Sequence, residues 1–423
     1  MRILFVSVRP PLPRFGGAAL RGYNFIRLLG ARHEVYVVCA GSAREELELQ
    51  AAFSDVCKGV QAVPAQEGPS RWQRAFDLVG STLPDLARRF PVDRLYDAVI
   101  AAGRRHGPDV VHVLGLESAP AIFGGEERAL PHAKIVLDEL NAEHRLQRRA
   151  FHVDRRETGR LPGAAYSLVQ SVKLRRYEQR MCSRADGVIA VSEEDVGALR
   201  RLLPVKPIGL VPNGVDTGYY RPSPSLAKEL PDVPAGGRVL LFTGTMDFRP
   251  NVDAVTWFVE TVLPSVRFVI SGTHFLIGGR DPVSSVQQLA GDSVTVTGSV
   301  PDDLPLFNAA DVFVLPMRFG GGSRLKLLQA FACGLPVVST RLGASGINAI
   351  HGEHLLLADT PAQFFDSTVR LLADPGLAGA LGRRGREVAL EHDWRVLAPR
   401  LEAFYEQVIA GEGTAWSASL SRS

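Results

Sequence analysis

PMRFGGGSRLKLLQAFACGLPVVST, Pro316 to Thr340, is the stretch on which the reading of the fold turns. It ends a short apolar run, passes three consecutive glycines (Gly320, Gly321 and Gly322), carries Arg324 and Lys326 into a helical pattern, and re-enters an apolar run, PVVST. Strand, glycine turn, helix, strand is the repeating unit of a parallel α/β sheet. The glycines let the backbone approach a ligand closely, and Ser323 is placed to cap the helix. A helix start offers unsatisfied N–H groups and the positive end of the helix dipole. With a guanidinium and an ammonium added in the first turn, the segment reads as a seat for a diphosphate. The expected ligand is a nucleotide sugar.

Outward from this stretch, strand and helix patterns alternate along the chain, which predicts an α/β fold with parallel sheets. Apolar runs predict strands over Ile3–Val8, Glu34–Cys39, Val60–Val63, Val110–Leu114, Ile135–Asp138 and Gly187–Val191, with a long helix from about Ala164 to Arg184. A second series is predicted over Val239–Thr243, Phe268–Ser271, Val294–Thr297, Val312–Leu315, Val337–Ser339 and Leu355–Leu357, followed by helix from Pro361 to Ala410. Between the two series, Pro212 to Gly237 is rich in proline and glycine and lacks either periodicity, so it reads as a linker containing the domain boundary. A length of 423 residues suits two domains. Ligands of such domains bind at the carboxyl ends of the strands.

The composition, 46% hydrophobic and 22% charged, is that of a soluble globular protein. A net charge of +3 gives no global steering toward nucleic acid. Cys39, Cys57, Cys182 and Cys333 show no C-x-x-C spacing and read as thiols in a reducing compartment. The apolar start MRILFVSV is broken at Arg9 and reads as a first strand, not a signal peptide, so the expected location is the cytoplasm. The segment from Arg145 to Arg184 holds many arginines and few acids. It reads either as a solvated helix face or as a peripheral contact with anionic lipid.

The order of motifs resembles the retaining GT-B glycosyltransferases of family 4 over nearly the whole chain. The pieces are the first strand with PPLPRFGGAALRGYNFIRLL, then AVS (Ala190–Ser192), VPNGVD (Val211–Asp216), FTGTMDFRPN (Phe242–Asn251), VTGSVPDDLPLFNAADVFVLP, the glycine-rich segment above, and HDW (His392–Trp394). FTGTMDFRPN together with GSRLK resembles a bacterial sugar transferase subgroup. The resemblance implies two Rossmann-like domains with parallel sheets facing across a cleft. It divides the chain into an acceptor-binding domain over 1–212, a nucleotide-sugar-binding domain over 237–393, a helix over 394–410 crossing back to the first domain, and a disordered tail over 411–423. UDP-sugars are the implied donors, and the acceptor is a small molecule, glycan or lipid-linked hydroxyl. No cofactor and no metal are expected, because no Asp-x-Asp pair stands in a chelating context. Oligomeric state is not implied.

Arg324 and Lys326 are the candidate catalytic residues. Breaking the sugar–diphosphate bond places negative charge on the leaving group, which fixed cations stabilise, the arginine by a fork and the lysine as a point charge. Gln329 lies one turn after Lys326, where the family usually has a glutamate on the ribose hydroxyls. Gly321 stands where another glutamate usually contacts the donor sugar, leaving the N–H groups of Gly321 and Gly322 as substitutes. Gly16 and Gly17, after the first strand, are implied to meet the donor from the other wall; a tight turn is the alternative. Gly244 is expected to face the diphosphate and Gly298 the base, with turn formation as the plainer role of each. In DELNAEH (Asp138–His144), Asn141 and Glu143 are candidate acceptor ligands, with a helix cap equally open for Asn141. Leu140 occupies the place of the subgroup's histidine, so no histidine role carries over. His112, His144 and Trp394 read as structural. Two other readings stay open: a nucleotide-sugar epimerase, and a glycosyltransferase-like binding protein without activity.

Overall fold

Short β-branched runs, apolar on both sides, become the central strands of two parallel sheets, because only helices packed on both faces bury such runs. The computed structural model describes residues 1–13, 16–125, 130–155, 161–223, 225–226, 236–320 and 324–411. Its chain divides into two units: one built from Met1–Pro212 with the C-terminal segment beginning at Trp394, the other from Asn213–Gly320 and Arg324–Asp393. The first unit holds, among the described residues, β1 (Arg2–Ser7), β2 (Glu34–Ala40), β3 (Cys57–Val63), β4 (Val110–Leu114), β5 (Lys134–Glu139), β6 (Gly187–Ala190) and β7 (Ile208–Leu210) in the order β3-β2-β1-β4-β5-β6-β7. The second holds β8 (Val239–Thr243), β9 (His274–Gly278), β10 (Val294–Gly298), β11 (Val312–Leu315), β12 (Val337–Ser339) and β13 (Leu356–Leu357) in the order β10-β9-β8-β11-β12-β13. Strand order reverses between β1 and β4 and again between β8 and β11. Those two reversals mark where each sheet opens a crevice beyond its carboxyl ends.

Three details differ from the sequence expectation. Phe268–Ser271 is not a strand: Leu263–Val269 is a helix that buries Leu263 and Val266 and leaves Phe268 92% exposed. Helical spacing of the buried pair wins over a local apolar run, and the strand forms one segment later as β9, between β8 and β10. The three-residue β7 has no expected counterpart. Its Gly209, with Gly187 of β6, seats the ring of Phe404, whose atoms would lie 2.6 and 2.9 Å from a Cβ added at the two positions. Finally, the second unit begins at Asn213, not at residue 237. Val215 is buried in that unit's core and donates its N–H to the His392 carbonyl at 2.9 Å, while Asp393 Oδ2 accepts from the Thr217 N–H at 3.0 Å. Proline and glycine there make irregular backbone that still packs.

The C-terminal region forms the helices Pro361–Ala373, Pro375–Glu391 and Trp394–Ala410. The last belongs to the first unit, with the buried Trp394 edge-on to Phe25 at 5.3 Å. Residues 412–423, expected to be disordered, lie outside the described residues. No helix among the described residues is long and apolar enough to cross a membrane.

Candidate functional site

In the second unit, the turn after β8 and the helix that follows β11 bring together the residues singled out by sequence. Gly244 follows β8 directly, and Arg324 occupies the N-cap position of the helix Leu325–Ala332. Ser323, expected as that cap, lies outside the described residues, as do Gly321 and Gly322. A guanidinium has no acceptor, so the Arg324 side chain does not cap the helix. It lies 8% exposed and donates to Ser345 Oγ at 3.4 Å.

Lys326 turns its half-buried side chain back toward β8. Its Nζ donates to Asn251 Oδ1 at 2.8 Å and sits 4.3 Å from the centre of the Phe242 ring. Asn251 is itself held by donation from Nδ2 to the Thr245 carbonyl at 2.9 Å. Burial first, and the charge of Arg324 second, bring the Lys326 ammonium down to about 7. A buried ammonium beside a second cation, with a neutral amide and a ring as its own partners, gains from an anion that replaces lost hydration. Gly244 is what lets this pair close up: a Cβ there would lie 2.6 Å from Asn251 Nδ2 and 2.7 Å from Lys326 Nζ.

Gln329, one turn on, is committed to a partner. Its Nε2 donates to Tyr220 Oη at 2.6 Å, and Tyr220 Oη donates to Asp303 Oδ1 at 2.9 Å. Gly298 ends β10 with φ +66°, a left-handed turn that favours glycine, and nothing lies within 4 Å of where its Cβ would be.

In the first unit, Gly16 precedes the helix Gly17–Gly30 with φ +102°, and its N–H donates to the Pro13 carbonyl at 3.2 Å. One turn into that helix, fully buried Arg21 grips Asp138 at the end of β5 with Nε–Oδ2 2.6 Å and Nη2–Oδ1 3.1 Å. His112 Nε2 of β4 lies 3.3 Å from the same carboxylate, and its Nδ1 lies 2.7 Å from Tyr405 Oη on the last helix. Burial alone would raise the Asp138 carboxyl, but Arg21 and His112 outweigh it and hold it below the ordinary range.

From the last residue of β5 onward the electrostatics reverse. Glu139 is fully buried, and burial, then Glu178 and Glu143, push its carboxyl well above the usual value. Glu143 is pushed up to about 8 by burial, then by Glu117 and Glu178. Asn141, two residues before the first residue of the helix Glu143–Asp154, donates from Nδ2 to Glu143 Oε1 at 3.4 Å. Glu178, from the helix Leu161–Arg184, accepts from the His144 N–H at 3.1 Å and lies 2.6 Å from its Nδ1. Carboxyls that keep protons near neutral pH can exchange them with a hydroxyl.

The structure thus gathers Gly244, Arg324, Lys326 and Gln329 in the second unit, and Asn141 and Glu143 in the first. Sequence reasoning missed Asn251, although it closes the quoted FTGTMDFRPN, and Tyr220, which stood in the presumed linker. Arg21, Glu139 and Glu178 gave no local signal, because their partners come from distant segments.

Residues 237–374 match the family model described as Glycosyl transferases group 1, and residues 151–219 that of Glycosyltransferase Family 4. The chain is 32% identical over 226 residues to the GDP-mannose-dependent alpha-(1-6)-phosphatidylinositol monomannoside mannosyltransferase of Mycobacterium tuberculosis, covering 48% of this chain and 56% of that one. It is 30% identical over 228 residues to the D-inositol 3-phosphate glycosyltransferase of Acidothermus cellulolyticus, covering 49% and 50%. The chain therefore spans about half the length of the curated relatives it matches. Sucrose-phosphate synthase from Thermosynechococcus elongatus superposes with a TM-score of 0.70 at 21% identity, covering 97% of this chain and all (100%) of that one.

Proposed function

We propose that the chain, which matches glycosyltransferase family models over residues 151–219 and 237–374, moves a sugar from a nucleoside diphosphate to an acceptor hydroxyl. The observation that carries this reading is the pairing of Arg324 with Lys326 against Gly244 and Asn251, at the reversal of strand order between β8 and β11. There the two cations meet the departing diphosphate, and the ammonium gains its full charge as the phosphoryl oxygens gain theirs. Transfer proceeds with retention: the diphosphate leaves and the acceptor attacks on one face of the sugar, with the leaving phosphate taking the hydroxyl proton. Asn141 and Glu143 hold the acceptor.

Against the UDP preference drawn from sequence stands a curated relative named for GDP-mannose. GDP-mannose is therefore the donor to test first, with inositol and its phosphates as acceptors, since the relatives' names carry both. Thermal shift against GDP-mannose, GDP, UDP-glucose and UDP reads the donor, because a ligand selective for the folded state raises the melting point. Mass spectrometry of mixtures with inositol acceptors reads transfer. We expect a rise with GDP and GDP-mannose and a hexosylated product. No rise with any of the four, with Arg324→Ala indistinguishable from wild type, overturns the reading.

A further inference from the structure

The arginine-rich segment noted in the sequence builds a site of its own in the first unit. The helices Glu143–Asp154, Leu161–Arg184 and Glu193–Leu202 enclose a hollow of about 800 Å³. Among the described residues six arginines line it, including Arg148, Arg175, Arg176 and Arg201, and no aspartate or glutamate does. Arg145 and Arg149 are tied to Glu194, with Nη1 of the first donating to the Glu194 carbonyl at 2.7 Å and Nη2 of the second lying 2.6 Å from Oε2. The other four are lining residues with no ion pair among the described residues. A second hollow, of about 500 Å³, shares Arg176 and continues the basic face through Arg180 and Lys206, again with no acid among its described lining residues. A whole-chain charge of only +3 makes this a local concentration of charge, not a general one.

The same long helix also exposes hydrocarbon. Leu161, Leu168 and Val172 are 51%, 45% and 49% exposed. Their spacings of seven and four residues place them on one helix face, which runs on to Arg175 and Arg176. An apolar stripe ending in guanidiniums matches a molecule with a hydrocarbon part and a phosphate head. A free phosphate leaves the stripe unexplained, and a nucleic acid gains nothing from exposed leucine and valine.

We propose that this face docks on a bilayer of anionic phospholipid, with the headgroup phosphates in the arginine hollow and Leu161, Leu168 and Val172 entering the acyl boundary. The docking does not depend on the donor chemistry proposed above, and its test uses no nucleotide. Sedimentation of the full chain is compared with vesicles of phosphatidylcholine alone and with vesicles of equal parts phosphatidylcholine and phosphatidylglycerol. Wild type is expected on the second and not the first, with binding that weakens as salt rises. Because each surface cation contributes roughly a fivefold gain, Arg148→Gln/Arg175→Gln/Arg176→Gln loses about a hundredfold. Leu168→Ser/Val172→Ser weakens binding while keeping its salt dependence. Unfolding midpoints stay at the wild-type value in both variants, since the side chains removed are exposed. Equal binding to both vesicles, wild-type binding by the arginine variant, full displacement by inorganic phosphate, or preference for single-stranded RNA over vesicles each overturns the proposal.

Discussion

Lys326 and Glu143 face the same problem in opposite signs. Burial strips each of charge near neutral pH, leaving the ammonium at about 7 and the carboxyl at about 8. Their neighbours differ. Lys326 sits with a second cation, Arg324, a neutral amide and an aromatic ring, so its own contacts among the described residues bring it no negative charge. Glu143 sits with Glu117 and Glu178, so the group around it already has too many. The second unit is thus prepared for an anion to arrive, and the first for protons to be held. Arg324→Ala breaks the comparison most severely: losing one preorganised donor to the leaving group costs about 10²–10³-fold in kcat. Steady-state kinetics alongside a melting curve checks it, and unchanged turnover removes Arg324 from the chemistry. Glu143→Gln, by contrast, leaves the affinity for nucleoside diphosphate unchanged.

pH sharpens the same contrast. A bound diphosphate favours charged Lys326, so binding takes up a proton once the free ammonium has begun to deprotonate, above about 7. Affinity for nucleoside diphosphate therefore falls as pH rises from there, by up to about tenfold per pH unit. Titration calorimetry in buffers of different ionisation enthalpy reads the proton directly, and Lys326→Met abolishes both slope and uptake. For Glu143 the folded value of about 8 lies above the ordinary 4.5. Its contribution to stability is complete below 4.5 and is lost as pH rises through 8. Melting temperature should fall on that path, and Glu143→Gln, which mimics the protonated carboxyl, should flatten it. A parallel fall in the variant sinks the assignment.

What the sequence disclosed follows from how local each signal is. Runs such as VLLFT and VFVL announce β8 and β11 because a strand buried on both faces needs nothing outside itself to be recognised. Arg324 and Lys326 stood out as candidates because the run of glycines before them in the sequence is a local signal too. The Phe268–Ser271 strand failed where two adjacent apolar segments competed, and only pairing with β8 and β10 chose between them. Val215, Thr217 and Tyr220 hid in a segment whose composition reports backbone irregularity and says nothing of packing. The four-glutamate group was invisible because Glu117, Glu139, Glu143 and Glu178 come from separate elements.

Gln329 gives the smallest and most pointed test. The resemblance treats it as a weakened glutamate, whereas the structure gives the amide a reason of its own. Burial first, and Asp303 second, push the Tyr220 phenol far up, so it keeps its single proton, and that proton goes to Asp303. The phenol oxygen then needs a donor, which the Gln329 amide supplies at 2.6 Å and a carboxylate does not. Gln329→Glu sets two carboxylates competing for one hydroxyl, a loss of about 1–3 kcal/mol. For a unit of this size that lowers the melting point by roughly 2–4 °C for each kcal/mol. Removing the contested hydroxyl in Gln329→Glu/Tyr220→Phe should return part of the loss. If Gln329→Glu instead melts as wild type and binds nucleoside diphosphate more tightly, the ribose contact outweighs the Tyr220 relay, and the amide is a substitution the fold does not require.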